Sequence, residues 1–94
     1  MDWINEFNLT PGTYEHHKGS IYVVTNVITH MEDEAKNKMV KLSDPLVVYR
    51  DLETPYEHVK GRHQKAHKVY ALKLSGFRAK VSKNGKMVPR FKHI

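Results

Sequence analysis

The sequence predicts an all-β meander that curls into a small, partly open barrel of five or six short strands. Runs of β-branched and aromatic residues recur along the chain, turn signals of Gly, Pro and Asn separate them at close spacing, and helical periodicity is rare. The 94 residues contain no internal repeat or low-complexity run, so we expect a single domain over 1–94.

The first ten residues predict a short N-terminal helix or packed arm, because Trp3, Ile4 and Phe7 recur at helical spacing. After them we expect the β domain to span 11–91. Its strands are predicted where β-branched and aromatic residues concentrate or alternate with polar ones. These strands cover 13–17, 21–28, 46–52, 69–74, 77–82 and 87–88.

Four connections are predicted from turn residues and from polar composition. Residues 31–44 fit a helical turn or a long hairpin loop, and a loop with some helix is preferred. Residues 53–67 combine proline, glycine and several basic residues, which predicts a mobile basic loop. Ser75-Gly76 is expected to break a strand, and Asn84-Gly85 predicts a tight hairpin turn.

Charge is distributed unequally along the chain. All ten Asp and Glu residues lie in 1–57, whereas 58–94 carries eleven of the sixteen Lys and Arg residues and no acid. The two parts have formal charges of −5 and +11, which give the net charge of +6. A one-signed stretch of this length attracts anions, so we expect nucleic acid, a nucleotide or an acidic protein as the partner.

Composition and motifs argue against several other classes. The absence of cysteine leaves no disulfide framework or thiolate site and fits the cytoplasm, and no apolar run reaches the about 18 residues of a membrane span. No nucleophile elbow or Gly-rich phosphate loop is present, so we predict a non-enzymatic protein without a cofactor. A phosphodiesterase using His16 and His30 is the remaining enzymatic alternative. His63 and His67 have metal-ligand spacing, but neighbouring lysines would repel a cation, and no metal is predicted.

Three segments form an ordered pattern within 11–91. Residues 12–19 read G-x-Y-x-H-x-K-G, residues 47–49 read V-V-Y, and residues 89–91 read P-R-F. This pattern resembles the small bacterial and phage family labelled domain of unknown function sixteen fifty-three. The resemblance implies a compact, mostly β, SH3-like domain and no established reaction. Leu72 stands where the family has the arginine of a W-x-R-P segment, so a role of that arginine does not carry over to this chain.

Candidate ligand-binding residues come from strand alternation and from charge. On one strand, Tyr14, His16 and Lys18 would project to the same side as a pocket wall; alternatively, Tyr14 and His16 are structural. Arg90 would either lock the barrel or grip a phosphate. Tyr14 or Tyr70 is available to stack on a base. The electrostatic surface would consist of Arg62, Lys65, Lys68, Arg78, Lys80 and Arg90.

We therefore expect a small basic binding module for an anionic ligand, with nucleic acid or a nucleotide preferred. The histidines of the basic loop, His58, His63 and His67, gain charge as the pH falls towards about 6.5, which would strengthen anion binding. The alternative is a phage-type protein-interaction module that inhibits an acidic host protein or counters host defence. No membrane partner is predicted, and the expected location is the cytoplasm, that of the host if the protein is phage-encoded.

Overall fold

The computed structural model describes residues 2–52 and 68–94, and most of them lie in antiparallel strands. The chain begins with helix α1 (Asp2–Glu6). In the described residues, seven strands and a second short helix follow: β1 (Gly12–His16), β2 (Ile21–Asp33), β3 (Lys38–Asp51), β4 (Val69–Lys73), α2 (Leu74–Phe77), β5 (Lys80–Lys83), β6 (Lys86–Pro89) and β7 (Phe91–His93).

The strands form two antiparallel sheets. The large sheet has five strands in the order β4-β3-β2-β1-β7 and curls into half of a barrel, whereas β5 and β6 form a separate hairpin. The predicted all-β class is confirmed, and so is the short N-terminal helix. The described part of the chain has seven strands rather than five or six because the chain continues past β6 and returns as β7 to pair with β1.

The core lies on the inner face of the curled sheet, which we call the concave face. Alternation along β1, β2 and β3 brings Tyr14, Val24 and Val47 to this face, where they are 5%, 6% and 0% exposed. Helix α2, β7 and the segment before β1 supply the other buried members. The buried core consists of Leu9, Tyr14, Val24, Val47, Leu74, Phe77 and Phe91.

The segment 31–44, predicted as a loop with some helix, is instead part of a long β-hairpin. Pairing of β2 with β3 continues out to Asp33 and Lys38, and Asn37 in the turn has a φ of 50°. Met31 and Met39, near this end, are 50% and 61% exposed. Because the end of the hairpin is exposed on both faces, its sequence has no apolar alternation, and the strand signal is lost.

Helix α2 covers the predicted break at Ser75-Gly76 together with the last residue of the strand predicted at 69–74 and the first residue of the strand predicted at 77–82. The Asp44 carboxylate in β3 accepts hydrogen bonds from the backbone N–H of Ser75, at 3.1 Å, and from the Ser75 hydroxyl. These bonds hold the chain in one helical turn, and β5 begins only at Lys80. Phe77 is buried and Arg78 is exposed, as the predicted alternation requires. The helix was missed because Asp44 lies 31 residues away in the sequence.

Other local predictions are confirmed. Asn84 and Gly85 form the tight turn between β5 and β6 with φ values of 53° and 79°, the left-handed values that such a turn requires. The predicted strand at 21–28 lies within β2. The predicted loop 53–67 lies outside the described residues. Neither of the described helices is long and apolar enough to cross a membrane.

Candidate anion-binding site

Three tyrosines from adjacent strands meet on the concave face, and we call Tyr22, Tyr49 and Tyr70 the tyrosine cluster. The rings of Tyr49 and Tyr70 are stacked with centroids 5.4 Å apart, and Tyr22 meets both rings nearly at right angles, at 5.2 and 5.8 Å. Strand register produces this arrangement, because Tyr49 and Tyr70 are direct partners across β3 and β4. Tyr70 is 37% exposed, so the cluster presents an aromatic surface to solvent.

Phe91 connects the tyrosine cluster to the core. It stacks on Phe77 with ring centroids 4.4 Å apart, and it contacts Tyr49 at 5.1 Å and Tyr22 at 5.9 Å. Aromatic pairs at such distances contribute about 0.5–1.5 kcal/mol each beyond the burial of their area. The tyrosine rings are therefore packed against a buried neighbour, which restricts the positions that they can adopt.

Arg90 lies beside the tyrosine cluster, in the connection between β6 and β7. Its backbone N–H donates to the carbonyl oxygen of Ala79 at 2.9 Å, and its own carbonyl accepts from the N–H of His17 at 3.0 Å. Within the part of the chain that the structure describes, the Nε of Arg90 is buried and has no hydrogen-bond partner. An unpaired buried donor is costly, and the guanidinium to which it belongs is the side-chain group that pairs best with an anionic oxygen.

The protonation state of Tyr49 suits a role as hydrogen-bond donor. Burial raises its pKa, and the neighbouring Tyr22 and Tyr70 raise the pKa further, whereas the charge of Arg90 lowers it. The ordinary pKa of a tyrosine is already about 10, so the hydroxyl of Tyr49 stays protonated at neutral pH. A protonated phenol next to a guanidinium can bind an anionic oxygen.

An open pocket of about 370 Å³ lies where the end of β1 and the turn after it meet the β5–β6 hairpin and β7. We call it the histidine pocket. Gly19 shapes the turn: it has a φ of 103°, and its N–H donates to the carbonyl of His16 at 2.7 Å. The pocket is lined by Glu15, His16, His17, Gly19, Lys83, Val88, Pro89 and Lys92.

Lys83 joins the small sheet to this turn. Its Nζ donates to the carbonyl oxygen of His17 at 2.7 Å, across 66 positions of sequence. The bond holds the ammonium group at the edge of the histidine pocket. Its charge also helps to lower the pKa of His17, so the histidine pocket combines two imidazoles with a fixed cation.

His16 and His17 are in ring contact in the pocket, with centroids 4.2 Å apart. Burial lowers the pKa of His16, and the charges of His17, Lys18 and Arg90 lower it further. Desolvation and the charges of Lys18, Arg90 and Lys83 lower the pKa of His17. The backbone N–H of Lys18 also donates to Nδ1 of His16 at 3.2 Å, which requires an unprotonated nitrogen there. Both imidazoles are therefore neutral at pH values above about 6.5.

Comparison with known protein families identifies the chain. A family model described as Protein of unknown function (DUF1653) matches residues 12–93. The chain belongs to this family. The family resemblance predicted from the sequence is thereby confirmed. No curated protein matches the chain, and no solved structure matches it either.

In this DUF1653 chain, the segments 12–19, 47–49 and 89–91 meet around Phe91. His16 contacts the Phe91 ring at 5.0 Å, and Tyr49 contacts it at 5.1 Å. His16 and Phe91 are also register partners in the pairing of β1 with β7. Three segments that are distant in the sequence therefore contribute Tyr49 to the tyrosine cluster, Arg90 beside it, and His16 to the histidine pocket.

The predicted wall of Tyr14, His16 and Lys18 does not form one surface. Tyr14 is buried, its hydroxyl donates to the carbonyl oxygen of Thr10, and its ring packs on Phe77 at 5.1 Å. This geometry agrees with the structural alternative for Tyr14 and leaves little of its ring for a base. His16 lines the histidine pocket. Lys18 lies beyond the end of β1 in an exposed turn, so strand alternation does not apply to it.

The other predicted residues are distributed over several surfaces. Tyr70 belongs to the tyrosine cluster, and the exposed Lys68 lies two positions before it. Arg78 is exposed at the end of α2, and Lys80 is exposed at the start of β5. Neither of these two belongs to the tyrosine cluster or to the lining of the histidine pocket. The predicted residues Arg62 and Lys65 lie outside the described residues.

The structure does not bring His16 and His30 together. His16 contacts Tyr22 at 6.2 Å, and His30 lies eight positions further along β2, at about 3.3 Å per residue. Across the described residues, no group of three His, Asp or Glu side chains could hold a metal ion. His63 and His67 lie outside the described residues.

Sequence reasoning missed Tyr22, His17, Lys83 and Lys92 as candidate site residues. For Tyr22 a signal existed, because strand alternation places it on the same face as the core residue Val24. Lys83 and Lys92 carry no local signal. They reach the histidine pocket only because the small sheet packs beside the turn after β1.

Proposed function

We propose that this protein is a non-enzymatic, cytoplasmic binding module for single-stranded nucleic acid. The observation that carries the proposal is the position of Tyr70. Tyr70 is 37% exposed, its ring is stacked on Tyr49, and it belongs to the acid-free stretch 58–94 of the sequence. A solvent-exposed aromatic ring is a typical platform for an unpaired base.

Positive charge near this ring would attract the phosphates of the strand. Lys68 is exposed and lies two positions before Tyr70, the spacing that brings side chains of an extended chain to the same face. The guanidinium charge of Arg90 acts on Tyr49, the stacking partner of Tyr70. A duplex offers no unstacked base to Tyr70, so the proposal predicts a preference for single strands.

The proposal is tested by fluorescence anisotropy of a labelled single-stranded oligonucleotide across a series of salt concentrations. Affinity should fall with a log–log slope of about −0.7 for each phosphate that the protein neutralises. Tyr70→Ala should weaken binding by about 5- to 150-fold, because stacking on one base contributes about 1–3 kcal/mol. Lys68→Ala should weaken binding of all sequences alike and reduce the salt slope by about 0.7.

Val69→Ala is the matched control, because Val69 is the neighbour of Tyr70 on β4, is 63% exposed, and projects to the opposite face. It should bind like the unaltered protein. The proposal fails if the protein does not bind the oligonucleotide at low salt, or if Tyr70→Ala and Val69→Ala bind equally. In that case the protein-interaction alternative takes precedence, with apolar anchors rather than Tyr70 as the residues to test.

A further inference from the structure

The histidine pocket has the size and the chemistry of a small-ligand site. Its volume of about 370 Å³ lies within the range of about 300–1,000 Å³ that small-molecule pockets occupy. Val88 and Pro89 supply an apolar wall, while two lysines and two imidazoles supply donors. The volume therefore accommodates a phosphate group together with a part of the molecule that carries it.

Positive groups outnumber negative ones around the two histidines. Of the pocket-lining residues, only Glu15 is acidic, and it faces Lys92 as its register partner in β7. The charged and titratable groups around His16 and His17 come from every element packed against them: Glu15, Lys18, Tyr22, Lys83, Arg90 and Lys92. In the absence of an anion, the positive charges of Lys18, Lys83 and Arg90 oppose protonation of the imidazoles.

We propose that the histidine pocket binds a terminal phosphate group and that binding is coupled to protonation of His16 and His17. Two imidazolium rings with centroids only 4.2 Å apart repel each other, and a dianion beside them removes that penalty. Anion binding therefore draws protons onto the pair, and lower pH in turn strengthens anion binding. No covalent step is involved, and the phosphate is bound rather than transferred.

This site is distinct from the stacking platform at Tyr70, because Tyr70 does not line the pocket. A terminal phosphate can belong to a free nucleotide or to the end of a nucleic-acid strand. Separate titrations with a mononucleotide and with 5′-phosphorylated and unphosphorylated oligonucleotides distinguish these two sources. Loss of oligonucleotide binding in Tyr70→Ala, with mononucleotide binding retained, would separate the two sites.

The first experiment titrates the full chain with sulfate and with inorganic phosphate, following the imidazole proton signals of His16 and His17 by NMR. Sulfate keeps its charge at mildly acidic and neutral pH, so any pH dependence of its binding reports on the protein. As the pH falls from the raised pKa of the anion-bound state to the lowered pKa of the free protein, we expect sulfate affinity to rise by up to about tenfold per pH unit for each proton taken up. The pKa of both histidines should rise when the anion is bound.

Three variants that each remove one charge give matched comparisons. Lys92→Gln should lower phosphate affinity about tenfold, whereas Glu15→Gln should raise it, because one removes an attractive charge and the other a repulsive one. Lys36→Gln, in the exposed turn between β2 and β3, should leave it unchanged. The proposal is overturned if neither anion shifts the His16 and His17 signals in the unaltered protein, or if Lys92→Gln and Lys36→Gln bind phosphate equally.

Discussion

Replacing Phe91 with alanine should remove the contact on which both the core and the tyrosine cluster depend. Phe91 is 7% exposed, stacks on Phe77 at 4.4 Å, and contacts Tyr49 and Tyr22. Through these ring contacts Phe91 joins β7 to α2, β2 and β3. Its removal leaves a cavity between the helix and the sheet.

The magnitude follows from the burial and the ring contacts. Replacing a buried phenylalanine with alanine costs about 3–5 kcal/mol, and the near-complete burial and stacked partner of Phe91 place it at about 4 kcal/mol. A chain of 94 residues is stable by about 5–14 kcal/mol at the usual values per residue. Phe91→Ala should therefore lose a large share of the free energy of unfolding, whereas Phe91→Leu, which keeps most of the volume, should lose about 1.5 kcal/mol.

Urea denaturation followed by circular dichroism measures these losses. Met87→Ala is the control, because Met87 is 64% exposed on β6 and its truncation should change the free energy of unfolding by less than about 0.5 kcal/mol. The packing account would be refuted if Phe91→Ala lost less than about 1.5 kcal/mol, or if it lost no more than Met87→Ala. Weaker oligonucleotide binding by the folded fraction of Phe91→Leu would further link Phe91 to the tyrosine cluster.

Two further predictions concern pH. The folded state lowers the pKa of His16 and His17 below the ordinary value of about 6.5. Between the lowered pKa and about 6.5, the unfolded chain therefore binds more protons than the folded protein does. Stability should fall as the pH decreases through this range. Urea midpoints of the His16→Gln, His17→Gln double variant should show a shallower decrease, and equal slopes would contradict the assignment. Hydrogen bonds from Ser75 lower the pKa of Asp44 below 3.8, so the stability it contributes is present above that pH and is lost on acidification through the lower, folded pKa. Asp44→Asn should destabilise the protein at neutral pH and reduce this acid-dependent loss, whereas Glu32→Gln, in the exposed hairpin, should do neither.

Local sequence patterns predicted the elements that have one buried face. The runs of β-branched and aromatic residues at 21–28 and 46–52 predict the core-facing parts of β2 and β3, because such residues favour a strand that packs on a core. Asn84-Gly85 predicts the turn between β5 and β6, because the turn requires positive φ values, which Asn and Gly adopt readily. A long hairpin loop was one of the two alternatives for 31–44, but the extension of β2 to Asp33 and of β3 back to Lys38 was missed, because a strand with two solvated faces needs no such pattern.

The sequence by itself determined the all-β class, the family and the opposed charges of the two parts of the chain, because composition, strand alternation and motif order are local properties. Only the tertiary structure decided which residues form a site. Pairing of β1 with β7 brings His16 to Phe91, packing of the small sheet brings Lys83 to His17, and the register of β3 with β4 stacks Tyr49 on Tyr70. These contacts join positions far apart in the chain, and their geometry depends on sheet curvature and register, which no local spacing encodes.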